Sequence, residues 1–331
     1  LKIYFKNKKV NQFIVLFLIT SLGFNLSLFS QSSGSNSYQF LDLANSSRIQ
    51  ALGGSNISIY DKDVNLTVSN PALLDSTQSG SISINYMNYI SDINYGFTSY
   101  THHVDNLGTF NAVFLYGNYG SFTRADENGD KTGKFVANDL SVLVGYGRRI
   151  DSLFSVGANL KFFNSVYDVY NSNGLALDLA ANYYKPSKYF SMSLMLKNMG
   201  VAFSKFNGKE KMPFEIQLGM TKKLKYAPLR FSVTLNNLQK WDLTYIDPNA
   251  ETQFDPNTFQ ELPPEEPSFL DKASRHIVFG TEFLLGKNFH LQIGYNFRRR
   301  AELKFAPKSG LVGFSGGIAF KIKKFHLNYS L

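Results

Sequence analysis

The sequence predicts an all-β protein: a transmembrane antiparallel up-and-down β-barrel with an N-terminal plug segment. Three observations predict it. From residue 79 onward apolar and polar residues alternate with period two, and almost no segment has helical spacing. Many of these segments exceed the roughly five or six residues usual in soluble sheets. They reach the roughly 9–11 residues that a tilted strand needs to cross a bilayer. Short links also alternate with longer polar ones, the asymmetry of outer-membrane barrels, whose short turns face the periplasm and long loops the exterior.

Composition agrees with this class. The 331 residues include no cysteine, which excludes disulfides, thiolate metal sites and a cysteine nucleophile. Phe (30) and Tyr (19) dominate over a single Trp. A mean hydropathy of -0.17 is no objection, because alternating strands average to near zero. Lys2, Lys6, Lys8 and Lys9 supply four of the nine net positive charges, so the rest of the chain is only mildly basic and carries no nucleic-acid signal.

Taken in order, residues 1–30 read as a secretory signal peptide: the four lysines, an apolar run from Phe13 to Phe29, and cleavage at Ser30-Gln31. The other reading is a membrane anchor; the following QSSGSNS favours cleavage. Residues 31–78 form the plug segment, with ALGGSNISIYDKDVNLTVSNPALLD at residues 51–75. A phosphate loop needs Lys and Ser or Thr directly after its glycines, whereas Gly53-Gly54 is followed by SNISIYD. The glycines therefore predict backbone packed tightly on other chain. Asn70 is placed to N-cap a short helix that Pro71 opens, with Ala72, Leu73 and Leu74 in its first turns.

Residues 79–331 form the barrel, with strands expected at 79–90, 92–104, 107–122, 133–149, 152–170, 173–185, 188–207, 212–224, 227–245, 273–286, 288–301, 309–322 and 324–331. FSMSLMLK (190–197), LRFSVTLN (229–236) and LQIGYNFR (291–298) each present one apolar face. RRIDS, KPSK, KKLKYAP, LGKN and KIKK are the short links. RADENGDKTG, VYNSNG, SKFNGKEKMP, the run 246–272 and RAELKFAPKSG are the outer ones. Tyr86, Tyr89, Tyr183, Tyr184 and Tyr245 suit aromatic girdles at the interfaces. Polar candidates for the lumen are Lys161, Asp178, Lys197, Glu215, Glu282 and Arg298, with Lys161/Asp178 and Lys197/Glu215 expected to face each other. A filled lumen and a solvated pore wall are both compatible with them. The thirteenth strand runs outward, whereas bacterial single-chain barrels have even strand numbers, so the barrel region is expected to stop one and a half strands short of closure.

Chemistry-bearing motifs are few. GFSGG (313–317) has the Gly-x-Ser-x-Gly pattern but sits in an alternating strand, with no acid between Ser315 and His326. DENGD (126–130) lacks the glycine and glutamate of a calcium loop and fits a turn at Asn128-Gly129. Neighbouring His102 and His103 point to opposite faces of a strand and cannot share a metal. No catalytic, cofactor or metal site is expected. Arg298, Arg299 and Arg300 are either an ordinary basic rim or an anchor for lipopolysaccharide phosphates or an acidic partner. The outer run 246–272 holds five prolines and the acids Asp247, Glu251, Asp255, Glu261, Glu265, Glu266 and Asp271. It is the first candidate for partner contact, with disorder as the alternative.

The stretch at 51–75 resembles the N-terminal region of FadL-like outer-membrane barrels, whose plug carries Gly-rich, acidic-small and Asn-Pro-Ala stretches. SYQFLDLANSSRIQALGG and NYGSFTRADENGDKTGKFVANDLSVLVGYGRR are most similar to the PorQ-like proteins of the PorV/PorQ branch, used by the type IX secretion system of Bacteroidetes. The resemblance spans essentially the whole mature chain. It implies a barrel of about 14 strands without enzymatic activity. It further implies that such a barrel anchors a PorZ-like surface protein of the attachment complex, in company with the PorU sortase, PorV and lipopolysaccharide. The alternative is a FadL-like transporter of hydrophobic small molecules; the polar lumen candidates argue against it.

Overall fold

The computed structural model describes residues 37–204, 206, 210–244, 267–303 and 310–331. The signal-peptide region lies outside the described residues, as do Tyr245, Glu251, Asp255, Glu261, Glu265 and Glu266. Thirteen strands follow one another in a single antiparallel sheet, each paired with its sequence neighbours. They are β1 (Ile82–Asn88), β2 (Asn94–Val104), β3 (Gly108–Ala125), β4 (Lys131–Arg149), β5 (Phe154–Tyr167), β6 (Tyr170–Lys185) and β7 (Phe190–Ser204). β8 (Glu215–Lys223), β9 (Leu229–Leu235), β10 (Ile277–Leu284), β11 (Phe289–Asn296), β12 (Phe314–Ile322) and β13 (Phe325–Ser330) complete the sheet. β1 and β13 are not paired with each other. Both run in the same direction, so an antiparallel seam between them needs an intervening strand.

The period-two pattern has a physical reversal of the usual sense. Val142, Val144, Leu160, Phe162, Leu175, Leu177, Leu179, Met192 and Leu194 point outward and are exposed. Their strand neighbours Ser141, Asn159, Lys161, Asp178, Ser191 and Ser193 point inward and are buried. Apolar patches of this extent are not stable against water, but they match hydrocarbon, where a sheet also satisfies every backbone polar group by strand pairing. No helix among the described residues is long and apolar enough to cross a membrane.

Residues 37–78 occupy the concave side of the sheet as short turns and two helices, α1 (Ser47–Ala51) and α2 (Val64–Ser69). Two apolar clusters hold them. Tyr38, Phe40 and Leu41 pack on Tyr95, Phe97, Leu115 and Phe163 of the wall, while Ile49, Leu52, Ile59, Leu66 and Leu73 form a core within the segment itself.

Four expectations change in detail. The outer link predicted around VYNSNG is a tight turn at Asp168-Val169, with Asp168 at φ 56°, because Asn171 and Asn173 pair with Val166 and Asn164 in the ladder. β9 ends at Leu235 rather than continuing to 245: Asn236 still donates its N–H to the His276 carbonyl, and the next residue, Asn237, takes φ 56°. β11 ends at Asn296, whose side chain accepts the Arg299 N–H at 3.0 Å and starts a helix over Phe297–Leu303. Tyr184 is not a girdle residue: its ring stacks on Tyr60 of the plug, centroids 4.4 Å apart. Two further helical stretches flank the outer links, and they are α3 (Phe269–Ser274) and α4 (Phe297–Leu303).

Candidate functional site

The interior surface between plug and wall is where the polar chemistry collects. Gly53 and Gly54 adopt φ 97° and 87°. A side chain on Gly53 would meet Val278 at 2.5 Å, and one on Gly54 the Arg299 guanidinium at 2.4 Å. The Gly53 N–H donates to Ser315 Oγ at 3.0 Å, Ser315 in turn donates to the Ala51 carbonyl at 3.0 Å, and the Asn296 amide donates to the Gly53 carbonyl. The glycine pair is thus a packing turn clasped by β11 and β12, and the serine of GFSGG is its clasp.

Asn70 is fully buried. Its Oδ1 accepts the Ala72 N–H at 2.9 Å, and its amide donates to the Ile57 carbonyl at 2.6 Å. Pro71 opens a single 3-10 turn over Pro71–Leu73. Ser155 of β5 donates to the Ala72 carbonyl, Leu73 sits in the plug core, and Leu74 packs on Gly147. Composition alone did not single out the wall glycines. An added side chain on Gly157 would lie 2.3 Å from Pro71, and one on Gly294 2.1 Å from the Gly53 nitrogen. Their signal in the sequence is glycine recurring at the inward parity of strands.

Charge pins the plug at three places. Arg48 reaches Asp61 at 2.6 Å, Asp63 at 2.9 Å and, across to β10, Glu282 at 3.0 Å. Arg230 of β9 pairs with Asp61 at 3.1 Å and with Glu282. Burial alone would raise the Asp61 pKa, but Arg48 and Arg230 outweigh it and hold the carboxyl well below the usual range. Lys161 pairs with Asp178 at 2.8 Å, yet diagonally: the residue opposite Lys161 is Ala176. Lys197 is opposite Glu215 as expected, but its ion pair is with Asp42 of the plug at 2.9 Å. Glu215 instead accepts the Asn237 N–H.

Between these pairs β7 bulges. Lys197 and Asn198 occupy the place opposite Asp178, with Asn198 at φ 56°. Asn198 receives Lys161 Nζ at 2.8 Å and donates to Asp42 at 2.6 Å, and its own N–H donates to Asp178. Sequence reasoning also missed Asp139, a buried carboxylate satisfied by the hydroxyls of Tyr119, Ser165 and Tyr167. The wall therefore is not uniformly polar. A largely apolar space of about 60 Å³ lies against Phe40, Leu43, Val68, Phe97 and Leu115, with Lys161 and Lys197 among its lining.

At the outer mouth the three arginines part company. Arg298 pairs with Glu302 within α4 at 2.7 Å, Arg299 turns onto Gln50 of the plug, and Arg300 donates to the Gly310 and Val312 carbonyls. A helix spreads successive side chains around its axis, so they do not form the single outward rim expected of a strand end.

No family profile matches the chain, and no curated protein matches it. Solved structures do. The Pseudomonas putida toluene transporter TodX aligns with a TM-score of 0.50 at 12% identity, over 87% of this chain and 91% of that one. A TodX monoaromatic hydrocarbon channel mutant aligns at 0.48 and 14% identity over 87% and 92%, and the KdgM porin at 0.32 and 9% over 65% and 88%. The chain has the fold of an outer-membrane β-barrel. At these identities the similarity speaks to the fold alone. The exposed apolar belt adds its own weight, since an up-and-down barrel with such an exterior is built for the outer membrane.

Proposed function

We propose that this barrel is a plugged, non-enzymatic anchor that holds an extracellular protein at the cell surface. The observation that carries this is the lumen: residues 37–78 lie within it, pinned to β7, β9 and β10 by Asp42, Arg48 and Asp61, with an open space of about 530 Å³ remaining beside Asp61, Arg230 and His290. A barrel so pinned serves as a rigid frame for its outer connections. The partner that the sequence resemblance suggests is a PorZ-like attachment-complex protein of type IX secretion, with PorU, PorV and lipopolysaccharide nearby. Docking candidates are the links at 123–132, 205–212, 246–272 and 299–309. Ser315 is engaged with the plug on both its donor and acceptor sides, which supports a structural rather than nucleophilic role.

Deletion of Glu251–Pro267 is expected to release the partner in mild-detergent pull-downs from native membranes, while the barrel keeps its heat-modifiable migration. Undiminished co-purification would remove that link from the mechanism. A second reading, transport of hydrophobic small molecules, is favoured by the largely apolar space and by the toluene transporter among the similar folds. Its volume of about 60 Å³ is well below the roughly 150 Å³ of an apolar cavity that admits benzene, so transport would require the plug to move. Liposome uptake of toluene distinguishes the two readings: none is expected of an anchor.

A further inference from the structure

His276 precedes β10 and is 5% exposed. Its Nδ1 lies 2.8 Å from the Asn236 carbonyl oxygen, and its Nε2 lies 3.0 Å from the Trp241 carbonyl oxygen. Carbonyl oxygens only accept. A neutral imidazole has one N–H and one lone pair, so it can satisfy one of these contacts and must oppose a lone pair to the other. Both contacts together require the doubly protonated ring. The Trp241 indole stacks on that ring, centroids 5.7 Å apart and planes at 24°, and Phe269 of α3 packs on the indole at 5.2 Å.

We propose that His276 is a proton-operated clasp for the outer strap Asn236–Thr244, closed when the ring carries two protons and opened at Trp241 when it loses one. The two ends of the clasp are unequal. The Asn236 side is also held by its own N–H, which donates to the His276 carbonyl at 2.8 Å, so it stays. On the Trp241 side, the ring nitrogen is the atom that reaches the carbonyl, and this is the contact that turns repulsive. Rising pH therefore loosens the indole of Trp241 from the ring, while the Lys272–Asp242 pair and buried Leu243 keep the far end of the strap in place; Trp241 and its neighbour Phe269 are both exposed.

The charged groups on the elements around the ring are accounted for. On the strap, Asp242 is paired with Lys272 at 2.8 Å; hydrogen bonds from Lys272 and then Thr244 hold its carboxyl well below the usual range, so it stays ionised. Lys240 is pushed below the usual lysine range by burial and by Arg298. On α3, Asp271 pairs with Arg275 at 2.8 Å. On β8, Glu215 accepts the Asn237 N–H. On β9 and β10, Arg230 and Glu282 pair with each other and with the plug.

Trp241 is the only tryptophan, so indole emission reports the clasp without ambiguity. The folded full-length protein in detergent micelles is titrated through the histidine range, about pH 5 to 8. A one-proton change in emission, with greater access to acrylamide at the alkaline end, is expected; folded His276→Gln should show no such step. A flat profile in the unaltered protein overturns the proposal, and so does a step that survives in His276→Gln. Should that variant fail to fold, imidazole nitrogen NMR of the unaltered protein decides. A buried histidine with both nitrogens protonated at the acid end, losing one in step with the emission change, supports the clasp. A buried histidine already neutral there overturns it.

Discussion

Arg48 is the side chain on which the plug's position depends most. It is buried between two acids of its own segment and one of the wall, and removing it leaves Asp61, Asp63 and Glu282 facing one another with only Arg230 between them. Breaking such a buried arrangement from one side costs about 3–5 kcal/mol. Arg48→Ala is accordingly expected to lower the urea midpoint of the folded barrel, read by heat-modifiable migration, far more than Arg298→Ala on the surface of α4. The pH dependence follows from Asp61. Its carboxyl is depressed in the folded state, so its contribution is complete above the unfolded carboxylate range and is lost as pH falls from about 4 toward the folded value. The urea midpoint should hold steady from neutrality to about pH 5 and drop below it, with a shallower acid limb in Asp61→Asn. At this scale the sequence was partly legible. Gly53-Gly54 and Asn70 announce a tight turn and a cap through residue type alone. Arg48 and Glu282 are 234 positions apart, and no local pattern brings them together.

Among the elements, the β6–β7 bulge does the most to connect plug and wall. Asn198 holds a left-handed backbone there and is hydrogen-bonded to Lys161, Asp178 and Asp42. Asn198→Val combines a β-branched residue at positive φ with the loss of those partners. A cost of about 2–4 kcal/mol is expected, with proteolysis cutting first near Asp42, which loses its Asn198 contact. Strand positions were legible because lipid enforces them: a slip by one residue would turn Lys161 and Asp178 into hydrocarbon. Strand ends were not. NSNG looked like the turn, but the ladder continues through Asn171 and Asn173 to Asp168-Val169. FRRRAEL continued the β11 alternation on paper, but the Asn296 cap diverted it into helix. Tyr184 could not be assigned to plug rather than interface without knowing that Tyr60 lies beneath it.

For the molecule as a whole, the apolar exterior, the plug and the paired charges form one design in which lipid holds the outside and the N-terminal segment is pinned inside. Of the polar lumen candidates, Lys161, Asp178, Lys197, Glu215 and Glu282 lie on the inner face as parity predicts, whereas Arg298 is carried into α4. Of their expected partners, Lys161–Asp178 formed, while Lys197 pairs with Asp42 and Glu282 with Arg48, both from the plug rather than a neighbouring strand. The apolar sector around Phe97 and Leu115 was also hidden, because its inward side chains look like any strand residue until Phe40 and Leu41 are placed against them. The central claim is that the plug leaves no open path through the barrel. Ion conductance of the full-length protein in planar bilayers tests it most directly: the account predicts insertion without stable open-channel steps, and regular, long-lived conductance steps would contradict it.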